Sequence, residues 1–389
     1  MKKPKLYCHF ERAKRREKSG RFTYSQIPPE ACLERSRRGR NDKSVYIFVF
    51  FLFASNFLSQ SSILYPQSSI NFGDRYAVII GGIGGQKEFT EEYFDQTNRM
   101  YDLLVNELDY KSENVFYLFE DLAYDSLKIR AKCTAENVRD VMNRLAVKMK
   151  QEDQLFIFMV GHGTFDGTWS KFNLLGPDLK AIDYAQLLAK LPTNKIILVN
   201  TSSASGPFIK KLSGKERVII TATKSGREYF ETSFANFFLD AFDDNQADLN
   251  KDNRVSILEA FEFAKTSQDK WYEDQRRLRA EHPLLDDNGD GKGSQDFEDA
   301  EDGKWASRVY LAGLSSEFQT SLQRLKSGTQ SPADSLRLEK LGLGQAIEDL
   351  KAKKDQLSLQ EYTSQLESLL VQLAKTNQRL KKLEGGKKE

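Results

Sequence analysis

Five short runs of bulky apolar residues, four of them followed by a stretch of helical periodicity, set the architecture of this 389-residue chain. The runs fall at 76–80, 115–119, 155–160, 195–199 and 218–222, and none of them alternates apolar with polar. A strand with one face in water alternates, whereas a strand covered on both faces is apolar at nearly every position. One intervening stretch lines up Phe94, Thr97, Tyr101, Leu104 and Leu108 at helical spacing. A second places Val138, Val141, Met142, Leu145 and Met149 behind Thr134, whose hydroxyl suits a helix N-cap. Shorter helices are expected at 184–191, closed by Pro192, and at 234–242. Residues 74–315 therefore read as an α/β domain, a mostly parallel sheet flanked by helices on both faces.

Charge is unevenly spread along the chain. The overall net charge is +2, but residues 1–44 carry +9 and the remainder −7. A body at −7 has no global attraction for phosphates, which excludes nucleic acid as the expected partner. Between Lys43 and Asp74 lie 30 uncharged residues, opening with ten apolar side chains at 45–54. A bilayer span needs about 20 apolar residues, so this run is short for one. It suits the centre of a secretory signal, flanked by Arg37, Arg38, Arg40 and Lys43. Residues 1–73 are thus a basic leader with a signal or anchor segment. The protein is expected to be exported (periplasmic, extracellular or membrane-anchored through 45–65). The basic stretch is longer than a signal's n-region, so residues 1 to 32 are expected to precede the true start, near Leu33. Three cysteines, Cys8, Cys32 and Cys133, provide no disulfide scaffold.

Residues 333–384 change character. Leu359, Leu366, Leu373 and Leu380 stand seven apart, and Tyr362, Leu369, Thr376 and Leu383 follow each by three. Apolar residues at these two heptad positions predict a coiled-coil seam. With Leu343, Ile347 and Leu350 on a preceding helix, the seam closes as a helical hairpin or receives a helical partner or second copy.

In an open parallel sheet, chemistry gathers beyond the carboxyl ends of the strands. Two runs end in suggestive loops: Gly161-His162-Gly163 after 155–160, and Ser202-Ser203-Ala204-Ser205-Gly206 after 195–199. A histidine between glycines is presented at the rim, and Gly163 lets a backbone N–H approach a substrate oxygen closely. On these residues, residues 75–314 resemble the legumain-like cysteine peptidases of the caspase–hemoglobinase fold. The resemblance implies a three-layer α/β sandwich, His162 as catalytic base, Gly163 as oxyanion donor, and a nucleophile at position 203. There the family's Cys-x-Ser-Gly turn becomes Ser203-Ala204-Ser205-Gly206, with no cysteine in any neighbouring register. A thiol is partly ionised near neutral pH and needs only the imidazole. A hydroxyl needs an aligned base that is itself oriented, commonly by a carboxylate, and no Asp or Glu in the sequence is recognisable in that role.

Residues 248–259 follow the twelve-residue calcium loop of the EF-hand. Asp248, Asn250 and Asp252 stand at positions 1, 3 and 5, Arg254 supplies a carbonyl at 7, Ser256 stands at 9, and Glu259 is bidentate at 12. Asn253 replaces the glycine at position 6, which weakens the turn without abolishing it. Asp286, Asn288, Asp290 and Gly291 repeat positions 1, 3, 5 and 6, but Phe297 stands at 12, so this second loop reads as a turn or partial site. His282, before Pro283, reads as a packed loop residue.

The sequence thus predicts an exported, calcium-binding protein of peptidase fold. Its expected partner is a peptide or protein ligand, held without hydrolysis. The rival expectation is a peptidase or transamidase working through Ser203 and His162.

Overall fold

The computed structural model describes residues 73–385 except 244–245, 250–253, 299, 314–319, 322, 326, 352 and 355–356. The leader, its apolar run and the readings of export and anchoring lie outside the described residues, as do Asn250 and Asp252.

Strands β1 (Arg75–Gly81), β2 (Val115–Phe119), β3 (Ile129–Lys132), β4 (Gln154–Val160), β8 (Ile196–Asn200), β9 (Arg217–Thr221) and β10 (Leu284–Asp286) form one sheet. Their order is β10-β9-β8-β4-β1-β2-β3, and every pairing is parallel except β10 with β9. Ile79 pairs with Tyr117 on one side and Phe158 on the other, and Phe158 in turn with Val199. This is the mostly parallel sheet the apolar runs predict.

Side chains alternate across the pleat, so one strand feeds two cores. Ala77, Ile79, Tyr117, Phe119, Phe156, Phe158, Val199 and Ile220 face a layer of three helices. These are α1 (Lys87–Asp102), α5 (Phe234–Asp240) and α6 (Ile257–Asp274). Val78, Ile80, Leu118, Leu155, Ile157, Met159, Leu198 and Ile219 face the opposite layer. That layer holds α2 (Ala135–Lys148), α3 (Ala181–Leu188) and α4 (Ile209–Leu212). Burial on both faces explains why polar residues are excluded from the strand centres. Thr134 caps α2 as expected, accepting the Asn137 N–H at 3.2 Å.

Three short strands, β5 (Gly163–Phe165), β6 (Ser170–Phe172) and β7 (Leu179–Lys180), make a separate antiparallel sheet directly after His162. The sequence reading did not anticipate it, nor β3 and β10. All five are two to four residues long and most carry a lysine, arginine or aspartate.

Arg75 ties the start of β1 to the end of the domain. Its Nη1 donates to the carbonyls of Leu108 and Leu311, each at 2.7 Å, and Nη2 to that of Asp109 at 2.8 Å. Its guanidinium lies 4.6 Å from the centre of the Tyr110 ring.

Helices α7 (Pro332–Lys351) and α8 (Leu359–Gly385) pack together as a hairpin. Leu343, Ile347, Leu350 and Thr376 are buried in the seam, and Thr376 Oγ1 donates to Glu339 Oε1 at 3.0 Å. Leu366, Leu369, Leu373 and Leu380 are half-buried, as the heptad spacing predicts, while Leu359 and Leu383 at the ends stay exposed. An Arg308–Asp349 ion pair of 3.0 Å ties α7 to the α/β domain.

Candidate active site

The neighbouring strands β4 and β8 end at the same rim and deliver His162–Gly163 and the Thr201–Ser205 turn to adjoining positions. The His162 ring is held between α1 and the loop after β1. Its Nε2 lies 3.3 Å from the carbonyl oxygen of Gly84, which can only accept, so Nε2 carries the proton. Nδ1 is then the acceptor, and the Tyr93 hydroxyl donates to it at 3.1 Å. Phe89 and Tyr93 meet the ring edge-on at 5.0 and 5.4 Å between centroids. Burial in this aromatic pocket lowers the His162 pKa below 6.5, partly offset by the Gly84 carbonyl, so the ring is neutral at pH 7. Among the described residues, no carboxylate hydrogen-bonds to His162.

Ser203 is buried, 4% exposed, and its hydroxyl is closed on Gly163. Its Oγ accepts the Gly163 N–H and donates to the Gly163 carbonyl, both at 3.1 Å. Only glycine fits at 163, because a Cβ there would lie 2.0 Å from the Ser203 carbonyl oxygen. The other serines are also engaged. Ser202 gives both its N–H and hydroxyl to Asn200 Oδ1, at 3.0 and 2.7 Å. Ser205 Oγ meets Thr223 Oγ1 at 3.1 Å. Ala204 takes φ of +52°, a left-handed conformation uncommon for a residue with a side chain. The turn tolerates it because the chain is pinned on both sides: the Ala204 N–H donates to the Glu228 carbonyl at 2.7 Å, and its carbonyl accepts the Ser170 hydroxyl.

The structure therefore brings Gly163 and Ser203 into direct contact and turns the His162 ring onto Tyr93 and Gly84. Cys133, the only cysteine among the described residues, is buried, and burial pushes its thiol up to about 11, so it is no nucleophile.

Sequence reasoning missed Tyr93, Gly84 and Glu228. Tyr93 lies one position off the apolar stripe read from Phe94, and only its phase on α1 distinguishes it. Gly84 and Glu228 carry no local signal, and His282 is the packed loop residue expected, with Glu228 as its partner. The Glu228 carboxylate accepts from His282 Nδ1 at 2.7 Å and from the Lys224 N–H at 2.9 Å. This pair buttresses the backbone that receives Ala204.

Residues 131–277 match the model of the peptidase C13 family. This stretch is similar to the peptidase domain of the legumain family. The match takes in both rim loops of the legumain-like site and the loop at 248–259. No curated protein matches the chain. Among solved structures, protein GSU0716 from Geobacter sulfurreducens aligns at 12% identity with a TM-score of 0.37, over 55% of this chain and 92% of its own.

At 248–259, Asp248 and Glu259 are buried and Ser256 caps α6. Glu259 Oε2 accepts the Ser256 N–H and hydroxyl at 2.9 and 2.8 Å, and Oε1 accepts the Leu249 N–H at 3.1 Å. The Glu259 carboxylate is thus engaged by Ser256 in the capping box that opens α6 and by the Leu249 N–H. The Arg254 guanidinium stacks 3.6 Å from the Tyr310 ring centre, leaving the ligand role at position 7 to its carbonyl. Among the described residues, no three acidic, histidine or cysteine side chains converge as a metal cluster.

Proposed function

We propose that this legumain-family domain binds a peptide or protein segment at the β4–β8 rim without hydrolysing it. The observation that carries this reading is the closed pairing of Ser203 with Gly163, together with the full occupancy of His162. A serine nucleophile must give its proton to a base and leave an N–H free for the developing oxyanion. Here the Ser203 hydroxyl occupies the very N–H that would serve as donor, and Tyr93 occupies the only imidazole nitrogen with a lone pair.

A serine-directed acylating probe tests this. No label at Ser203 is expected. Labelling at Ser203 that vanishes in His162→Ala supports the rival reading, a peptidase or transamidase working through that dyad. Peptidase activity gained by Ser203→Cys would mean that the remainder of the site is competent.

The wider reading is an exported scaffold stabilised by Ca²⁺ at Asp248, Asn250, Asp252, Arg254, Ser256 and Glu259, with α7 and α8 available to a helical partner or second copy. Among the described residues, no helix is long and apolar enough to cross a membrane. Ca²⁺ would organise the loop before α6 as a structural ion. Binding to the folded state alone raises the melting temperature by mass action. Millimolar Ca²⁺ is expected to do so, and Glu259→Gln to diminish the rise.

A further inference from the structure

The loop at 286–291, left without its twelfth-position acid in the sequence, has the internal bonding of a cation loop. It leaves the end of β10 with the Asp286 side chain fully buried. Asp286 Oδ1 accepts the Gly289 N–H at 3.2 Å and the Ser213 hydroxyl at 3.1 Å. The carboxylate is thereby held over its own loop, yet its second oxygen, Oδ2, is buried and has no hydrogen-bond donor. Asn288 Oδ1 accepts the Asp290 N–H and Asp290 Oδ1 accepts the Lys292 N–H, each at 2.7 Å. Every second side chain thus folds back over the loop, while Gly289 and Gly291 take the left-handed turns at φ +86° and +76°.

The adjacent acids are otherwise engaged. Asp287 turns away and accepts the N–H groups of Gly303, Trp305 and Ala306 at 2.9, 2.8 and 2.6 Å. Asp302 accepts the Asp287 N–H and the Ser294 hydroxyl. The Lys292 ammonium is largely exposed and pairs with Asp290 at 3.9 Å. A buried carboxylate oxygen without a donor or cation is costly, and such groups are normally paired or metal-bound. Burial accordingly raises the Asp286 pKa.

We infer that residues 286–292 form a second hard-cation site, taking Ca²⁺ through Asp286, Asn288, Asp290 and the Lys292 carbonyl. Two carboxylates, one amide and one carbonyl supply at most part of the six to eight oxygens that Ca²⁺ takes, so water completes the shell. The affinity belongs to the weak extracellular range of about 10⁻⁴–10⁻³ M. Because Ser213 binds both Asp286 Oδ1 and the Gly291 N–H, the ion would clip edge strand β10 to the end of α4.

The test is Ca²⁺ stoichiometry by equilibrium dialysis on the full chain, with hydrogen exchange read at 286–292. Asp290→Asn, at an exposed position, is expected to remove one equivalent of Ca²⁺ and the Ca²⁺-dependent protection at 286–292. Glu259→Gln, whatever it removes at 248–259, is expected to leave the equivalent at 286–292 and its protection in place. Unchanged stoichiometry in Asp290→Asn, or no Ca²⁺-dependent protection of the loop, overturns the assignment. Neither result depends on whether the β4–β8 rim binds peptides or cuts them.

Discussion

Gly163→Ala is the sharpest test of the closed site. An added Cβ would sit 2.0 Å from the Ser203 carbonyl oxygen, where ordinary van der Waals contact begins at 3.4 Å. Opening the gap by that difference carries both Gly163–Ser203 hydrogen bonds, now 3.1 Å, beyond useful length. Two lost bonds cost about 1 kcal/mol each, and overpacking against buried backbone adds about 1–3 kcal/mol. The sum, about 3–5 kcal/mol, is a large part of a stability that is typically about 5–15 kcal/mol. It corresponds to a fall in melting temperature of about 10 °C in a domain of this size. Calorimetric melts of the wild type, Gly163→Ala and Ser203→Ala would measure it. Ser203→Ala removes the hydroxyl without a clash, so its expected cost is smaller, about 1–3 kcal/mol for the unpaired Gly163 groups. A Gly163→Ala protein melting within about 2 °C of wild type would refute the tight contact, and with it the closed pairing.

The His162 ring should titrate below 6.5 by NMR, and Tyr93→Phe should raise the midpoint, because the Tyr93 hydroxyl donates to the neutral form. The unfolded chain then binds a proton that the folded chain does not, so this contribution to stability is present above pH 6.5 and is lost as the pH falls below it. Arg75→Ala should cost about 3 kcal/mol in denaturant melts by stranding the carbonyls of Leu108, Asp109 and Leu311. Arg75→Lys should not restore it, since a single ammonium lacks the planar fork. Ile347→Ala should loosen the hairpin by about 2–4 kcal/mol, seen as faster proteolysis within 332–385 while the main melt stays in place.

The strands were legible because burial on both faces leaves an unmistakable apolar signature. Thr134 was legible because a cap is a local device, whereas Ser256, read only as position 9 of a calcium loop, also caps α6. What escaped was either short or distant. The strands at 163–165, 170–172 and 179–180 draw their stability from pairing with one another, and residues such as Lys171 and Lys180 hide them from any apolar pattern. Tyr93 and His162 are 69 positions apart, and Glu228 and His282 are 54 apart, so only the folded sheet unites them. The sequence placed the imidazole and the hydroxyl at one rim. That each turns instead to a nearer partner, Tyr93 or Gly163, depends on side-chain rotamers and contacts that no spacing encodes.

One N–H decides what this rim can do. Gly163 has a single backbone donor, and it serves either the Ser203 hydroxyl or an incoming carbonyl oxygen, but not both at full strength. A peptide that claims it must displace the hydroxyl, and the freed hydroxyl retains only the Gly163 carbonyl to donate to. Its lone pair is then exposed while its proton is still committed to the same residue. His162 cannot take that proton until the Tyr93 hydroxyl leaves Nδ1, and burial opposes the imidazolium that would result. Substrate entry and nucleophile activation therefore require two separate rearrangements, of which a bound peptide drives only the first. Binding without turnover is the outcome this coupling favours. A double substitution, Tyr93→Phe with Ser203→Cys, removes both obstacles at once, and it should hydrolyse peptides faster than either single variant.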